Sequence, residues 1–389
     1  MGGRIFLYVQ HLLGIGHLQR AARLAKAMAA AGLDVDLVSG GAAVPFLDMG
    51  HAALCQLPPL KAGAGGFGDL VDEAGQPAGE ALMEERRRRL LALFGEHPPD
   101  AVIVETFPFG RRQMRFEVLA FLEAARRADP RPLVISSVRD ILQAKRKPGR
   151  AAEAADWAET YFDFVLVHGD ARFAAFEETF PEAARIAGKL HYTGLVADTP
   201  VASGAAGGGG VLVSAGGGAV GARLLRTALE ARPLSRFDDA PWRLLAGPNL
   251  EAGTFRELRR DAPDGVAVEA YRPDFASLLA ACEVSVSQGG YNTVADTLAA
   301  GARAVIVPYG ADGESEQTQR AERLAERGLA HVVDEDALAP HTLAMAIDAA
   351  ATMTPPTTPG IDLDGAAKNA RLVAAWLAAR DKKLAQVSP

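Results

Sequence analysis

The stretch from Glu283 to Gly328, EVSVSQGGYNTVADTLAAGARAVIVPYGADGESEQTQRAERLAERG, decides the fold. Its short apolar run ends in Ser287-Gln288-Gly289-Gly290, helical spacing begins at about Tyr291, and a second apolar run follows from Ala304 to Pro308. Buried strand, glycine turn, helix and buried strand form the repeating unit of a parallel sheet covered by helices. Glycines at such a helix start admit a phosphate to free backbone N–H groups. Asp296, near the second helical turn, can accept hydrogen bonds from both hydroxyls of a ribose. Gln288, Asn292 and Thr293 stand beside them, and Glu316 and Gln317 follow the next strand, placed to contact sugar hydroxyls. The plain alternative makes Asp296 a helix-end charge partner.

The same alternation extends outward through the chain. Candidate strands precede this stretch at Val211 to Ser214, Arg243 to Ala246 and Val266 to Tyr271, and His331 to Val333 follows it. Toward the amino terminus they are Ile5 to Val9, Val35 to Ser39, Ala101 to Glu105, Leu133 to Val138 and Phe164 to His168. Between the two sets, ADTPVASGAAGGGG interrupts all periodicity with Pro200 and the run Gly207 to Gly210. The reading is α/β with two Rossmann-like domains: 1–198, a glycine-rich linker over 199–210, and 211–363. A final helix over 364–389 has apolar spacing at Ala367, Leu372, Ala375 and Leu377, and is expected to pack back on the first domain. Two such sheets leave a cleft, with ligands outside the carboxyl ends of their strands. Residues 61–80, KAGAGGFGDLVDEAGQPAGE, read as a mobile loop over an acceptor.

Composition sets bounds. A chain of 389 residues accommodates two domains, and 49% hydrophobic with 23% charged residues is globular rather than disordered. A net charge of -7 and the lack of any basic-aromatic run argue against nucleic acid as a partner. Cys55 and Cys282 stand alone, with no zinc or disulfide spacing, which fits a reducing cytoplasm. The opening RIFLYVQHLLGIGHL is interrupted by Gln10 and His11, so it reads as a strand and not a signal peptide. Nothing approaches the roughly 20 apolar residues of a membrane span.

Two further glycine loops carry chemistry. In GIGHLQRAARLAKAM, Gly14 and Gly16 lead into a helix with His17 at its start. In VLVSAGGGAVGARLL, Gly216, Gly217, Gly218 and Gly221 offer N–H groups to a diphosphate, and Ser214 adds a hydroxyl. Neither is a dinucleotide fingerprint or a P-loop, since the third glycine with its acid and the Lys-Ser/Thr pair are missing. Each loop is also readable as an ordinary turn. Glu105, in VETFPFGRRQM, ends a strand and is an alternative base if its pKa is raised. Arg139-Asp140 and His168-Gly169-Asp170 occupy similar positions, as acceptor contacts or turn caps.

SQGGYNTVADTLAAGARAVIVPY, the EQ pair and RAERL resemble the C-terminal domain of glycosyltransferase family 28, and GIGHLQRAARLAKAM is similar to that family's first glycine loop. The likeness is nearest to bacterial members whose substrates are unassigned. It implies a GT-B fold and transfer of a sugar, with inversion, from a nucleotide-diphosphate donor, expected to be a UDP-sugar, to a small-molecule, glycan or lipid-linked acceptor. It implies that Asp296 holds the donor ribose, where the peptidoglycan enzyme has the longer Glu. Gly217 and Gly218 match the diphosphate loop, with Ala219 in place of a phosphate-binding Ser. Tyr271 and Arg272 match backbone positions lining the base pocket, Glu316 and Gln317 the donor-sugar pair, and His17 the candidate base.

The chemistry calls for a base, in-line attack and a stabilised diphosphate. Helix ends and glycine N–H groups supply the last without magnesium, so no metal or other cofactor is expected and activity should survive EDTA. Residues 86–150 hold 15 Lys or Arg against 7 acids, including Arg86 to Arg89, Arg111-Arg112 and Lys145-Arg146-Lys147. They read as solvated helix faces or as a peripheral contact with the inner face of a membrane. Other classes stay open: nucleotide-sugar hydrolases of pseudaminic acid synthesis, which share the GxGH loop, and a donor-binding subunit without catalysis.

Overall fold

Fully buried parallel strands need helices on both faces, and the chain satisfies this twice. The computed structural model describes residues 2–63, 66–143, 148–198, 209–217, 221–310, 315–356 and 360–387. They divide into two compact units, the first comprising Met1–Leu142, Arg146–Val196 and Asp364–Pro389, the second mainly Ala197–Leu363.

In unit 1 the strands are β1 (Arg4–Val9), β2 (Asp34–Ser39), β3 (Ala53–Gln56), β4 (Lys61–Gly63), β5 (Gly66–Val71), β6 (Ala101–Glu105), β7 (Leu133–Arg139), β8 (Phe164–His168) and β9 (Leu190–Tyr192). Its helices include α1 (Gly16–Ala30), α2 (Glu80–Glu96), α3 (Arg115–Arg127) and α4 (Arg150–Tyr161). Seven strands form one sheet in the order β3-β2-β1-β6-β7-β8-β9. Each neighbouring pair is parallel. The order reverses between β1 and β6, and at such a switch point loops from neighbouring strand ends diverge and leave room for a ligand.

Unit 2 contains β10 (Val211–Ser214), α5 (Ala222–Ala231), β11 (Trp242–Leu245), α6 (Ala252–Asp261), β12 (Val266–Glu269), α7 (Phe275–Ala281), β13 (Val284–Ser287), α8 (Tyr291–Ala300), β14 (Ala304–Ile306), α9 (Glu316–Glu326), β15 (His331–Val332) and α10 (Pro340–Thr352). Its sheet order, β12-β11-β10-β13-β14-β15, places the switch between β10 and β13. Ser214 and Ser287 are direct partners there.

Four strands escaped the sequence reading. β3 and β9 are short edge strands with half-exposed side chains, and so carry no buried apolar run. The presumed loop over 61–80 contains the antiparallel pair β4 and β5, and α2 starts at its last residue. Glycines hid the pair because they weaken a strand signal without forbidding the strand.

The last helix, α11 (Gly365–Val387), belongs to unit 1. Trp376 stacks on Phe164 at 3.8 Å between ring centroids, and Arg380 Nη2 reaches Asp100 Oδ1 at 2.5 Å. A Cβ on Gly365 would lie 2.5 Å from the Gly194 carbonyl oxygen, so the helix enters through a gap only glycine fits.

A charged network lies inside unit 1. Arg86 donates from Nε and Nη2 to the two oxygens of Glu117 at 2.9 and 2.6 Å, and from Nη2 to Gln10 Oε1 at 2.9 Å. Tyr8 donates to Glu117 Oε1 at 2.5 Å, and Arg86 Nη1 also reaches the carbonyls of Gly40 and Pro58. Both ionic side chains are fully buried. Arg86 is therefore not part of a basic surface. Its neighbours Arg87 and Arg88 pair with Glu84 and Glu85, and Arg112 with Glu153, which leaves this region less basic than its composition suggests. Lys145-Arg146-Lys147 lie outside the described residues.

Candidate active site

The chain leaves β1 through the turn holding Gly14 and enters α1 at Gly16, which puts His17 in the first helical turn. The adjacent strand β6 ends in Glu105, followed by Thr106 with φ 66°. His17 Nδ1 lies 3.0 Å from both Glu105 oxygens and 3.1 Å from Thr106 Oγ1. Thr106 Oγ1 donates to Glu105 Oε2 at 2.7 Å, and Arg20 pairs through Nη2 with Glu105 Oε1. An ionised carboxylate only accepts, so Nδ1 carries the proton and Nε2 the lone pair. Nε2 has no hydrogen-bond partner among the described residues, and the His17 side chain retains 15% exposure.

Burial drives the His17 pKa down to about 3, and the cations Arg111 and Arg20 push the same way against the pull of Glu105. Burial alone would raise Glu105, but His17 and Arg20 hold it well below the usual carboxylate range. The reading of Glu105 as a base needed a raised pKa. The shift runs the opposite way, and the Glu105 carboxylate accepts from His17 Nδ1.

The neighbouring strand ends hold other polar groups. His168, fully buried, bonds Ser137 Oγ through Nε2 at 2.8 Å and Thr193 Oγ1 through Nδ1 at 2.9 Å. Asp140 accepts from Ile141 N at 2.8 Å and Asp170 from Arg172 N at 2.9 Å, so both cap turns. Arg139 ends β7, half-buried.

Burial lowers His168 to about 3 and His11 to about 4. With His17 they give unit 1 three imidazoles that stay neutral while the unfolded chain takes up protons below its own pKa of about 6.5. Native values below unfolded ones mean that stability falls as pH drops through 6.5 toward 4. The slope is up to about 1.4 kcal/mol per pH unit for each histidine. Urea unfolding at pH 7 and pH 5 should show this loss, and His168→Asn should flatten it. Equal midpoints at the two pH values would refute it.

In unit 2, Ser214 ends β10 and accepts from Gly216 N at 3.3 Å; Gly216 has φ +70°. Asn249 Nδ2 donates to the Gly217 carbonyl at 2.7 Å. Gly218 and Ala219 lie outside the described residues. Gln288, Gly289 and Gly290 lead from β13 into α8, with Gly290 as the residue before its first turn. A Cβ on Gly289 would lie 2.9 Å from the Gln317 carbonyl oxygen, so the turn and the start of α9 touch at backbone distance. Asn292, Thr293 and Asp296 follow on α8. Among the described residues, Ser287 Oγ is buried without a hydrogen-bond partner at the end of β13.

Several side chains expected at the donor also make contacts within the fold. Asp296, 2% exposed, accepts the Asp198 backbone N–H at 2.8 Å. Glu316 is buried and pairs with Arg320 Nη2 at 2.9 Å, while Arg320 Nη1 holds the Gly289 carbonyl at 3.0 Å. Glu316, expected to face a sugar, also anchors the glycine turn through Arg320. Gln317 Oε1 accepts from Tyr309 N at 3.1 Å. Arg272 forks onto Asp274 at 2.8 and 2.6 Å and reaches Glu269 at 3.1 Å, beside Tyr271, so its side chain is engaged locally. Arg20, Thr106 and Arg320 were missed as site residues. Arg20 was detectable, because it is a charged position within the buried set Leu18, Ala21, Ala22, Leu24 and Ala25.

Among the described residues, no three His, Cys, Asp or Glu side chains gather as a metal would require, and no helix is long and apolar enough to cross a membrane. Residues 212–359 match the glycosyltransferase family 28 C-terminal domain. A UDP-N-acetylglucosamine–N-acetylmuramyl-(pentapeptide) pyrophosphoryl-undecaprenol N-acetylglucosamine transferase of Exiguobacterium sp. is 35% identical over 95 residues, 24% of this chain and 26% of that one. The same-named protein of Methylibium petroleiphilum is 37% identical over 81 residues, 21% of this chain and 22% of that one. The chain thus matches about a quarter of the length of these curated relatives. Whole-chain likeness is to solved structures. The calicheamicin glycosyltransferase CalG4 has a TM-score of 0.60 at 18% identity, with 100% of both chains covered. MurG of Acinetobacter baumannii has 0.53 at 17%, covering 96% of this chain and 99% of that one. SsfS6 of Streptomyces sp. SF2575, complexed with thymidine diphosphate, has 0.58 at 17%, covering 97% and 96%. These structures share the fold, and the chain is a GT-B protein that carries a glycosyltransferase family 28 C-terminal domain.

Proposed function

We propose that this protein transfers a sugar from a nucleotide-diphosphate donor held by unit 2 to an acceptor hydroxyl activated by His17. The observation that carries the reading is the His17–Glu105 pair at the β1/β6 switch point, with Nδ1 held by the carboxylate and Nε2 carrying the lone pair. The acceptor O–H proton passes to Nε2 as its oxygen attacks the anomeric carbon. The bond from that carbon to the diphosphate breaks on the opposite face, and the electron pair leaves on the phosphate oxygen, inverting the centre. In unit 2 the Gly216-Gly217 turn, Ser214, Ser287 and the N-terminus of α8 surround the β10/β13 switch point, where backbone N–H groups suit a diphosphate. We assign the ribose to Asp296, Gln288, Asn292 and Thr293, and the base to the backbone at Tyr271 and Arg272.

A UDP-sugar is the proposed donor, because the matching curated relatives are named for UDP-N-acetylglucosamine. Their named acceptor is lipid-linked, whereas CalG4 is a calicheamicin glycosyltransferase, and the group we propose as acceptor on this chain's substrate is a hydroxyl. Metal-free stabilisation of the diphosphate is part of the proposal.

The test is a thermal-shift panel of UDP, dTDP, GDP and CDP in EDTA, on the wild type and Asp296→Asn. Asn keeps an oxygen for Asp198 N–H. UDP at about 100 times its dissociation constant should stabilise the wild type by roughly 2.7 kcal/mol, and the variant much less. If no nucleotide stabilises the wild type, the donor assignment fails. If one does so only with magnesium, the metal-free part fails.

A further inference from the structure

His17 and Glu105 form the pair on which the proposed reaction rests, but a third side chain completes the cluster. Arg20 lies one turn along α1 from His17, is 2% exposed and pairs through Nη2 with Glu105 Oε1. The same nitrogen is 3.5 Å from His17 Nδ1. A fully buried arginine is rare unless a carboxylate compensates it, and here that carboxylate is the one holding the proposed base.

We propose that Arg20 is the positioning residue of this pair: fixed against Glu105, its guanidinium keeps the carboxylate ionised and the imidazole neutral, so that Nε2 stands ready to accept a proton. The charge balance explains why. With His17 neutral, Glu105 and Arg20 cancel. Without Arg20, a buried carboxylate would face a neutral imidazole, and the pair would relieve the uncompensated charge by taking up a proton. On the imidazole, that proton occupies Nε2 and removes the base. On the carboxyl, it removes the acceptor for Nδ1–H and lets the ring turn.

Other charged groups face the cluster. Arg111, in the turn after β6, interacts with Glu105 and Arg20 and in turn with Arg139 at the end of β7 and Tyr8 on β1. His168 on β8 experiences both Arg20 and Glu105. Thr106 contributes a hydroxyl. Arg111 opposes protonation of His17 more strongly than Arg20 does, but it is held at Nε by the Gln10 carbonyl at 2.9 Å, whereas Arg20 pairs directly with the carboxylate.

The assignment predicts the titration of one imidazole, measurable without turnover. Nitrogen NMR of His17, identified by its loss in His17→Gln, should show it neutral in the wild type down to pH 5. In Arg20→Gln the midpoint should rise by about one pH unit, while Arg20→Lys, which keeps the cation, should stay near the wild type. In transfer assays, Arg20→Gln should move the acid limb of kcat/KM upward by a similar amount. A purely structural role would lower kcat at all pH values and leave the limb in place. An unchanged His17 midpoint in folded Arg20→Gln overturns the proposal. So does a wild-type His17 that titrates near 6.5, a result available even if Arg20→Gln does not fold. The inference uses the proposed function only to give the base its meaning. If the imidazole shifts as expected and the wild type transfers no sugar, the functional reading fails and the role of Arg20 stands.

Discussion

His17→Ala is expected to lower kcat for sugar transfer by about a thousandfold while leaving nucleotide affinity within roughly twofold of the wild type. In the proposed reaction the base acts on the acceptor and sits on unit 1, whereas the residues assigned to the donor lie in unit 2. Removing the imidazole therefore deletes proton transfer without touching the diphosphate contacts. Initial rates together with calorimetric titration of UDP separate the two effects. Glu105→Gln should also be impaired, because an amide presents a donor as well as an acceptor to Nδ1 and no longer selects the tautomer with a free Nε2. Turnover that is unchanged in His17→Ala would remove this residue from the mechanism.

The second large effect concerns stability. Glu117→Gln leaves Arg86 buried with five donors and no anionic partner, and should destabilise the protein by about 3–5 kcal/mol. Arg86→Met leaves Glu117 in the opposite predicament, a buried carboxylate bonded by the Tyr8 hydroxyl but without its cation, with a loss of similar size. For a unit of this length that is a fall in melting temperature of roughly 10 °C. The double variant, Arg86→Met with Glu117→Leu, should lose less than either single change, since no charge is left stranded. Single variants that melt within two degrees of the wild type would show that the network contributes little.

The central strands were legible because each is a continuous apolar run, as β6 shows with all five residues buried. Edge strands were not, since β3 and β9 present half-exposed side chains that resemble loop composition. The glycine loops identified the switch points of both sheets, and His17 followed from the first of them. The role of Glu105 did not follow, because its sign depends on charges 85 and 88 residues away in sequence, Arg20 and His17. Glu316 shows the same limit in reverse. An acid after a strand end suggests a ligand contact, and only the fold reveals Arg320 one turn away, tying it to Gly289. A run of four arginines carries no mark of which one turns inward, so the sequence reads Arg86 as surface charge.

The return of α11 to unit 1 has a consequence for biosynthesis. Val196 and Asp364 pair as an antiparallel bridge, and Gly365 N donates to the Leu195 carbonyl at 3.0 Å, so the chain closes on unit 1 where it left it. Unit 2 is thus a long insertion into unit 1. On the ribosome, the unit that emerges first is the last to be completed. Phe164 lacks its stacking partner until the whole of the inserted unit has been translated. Throughout that interval the nascent chain displays an unfinished apolar surface, the kind of site that chaperones bind and that unguarded chains use to aggregate.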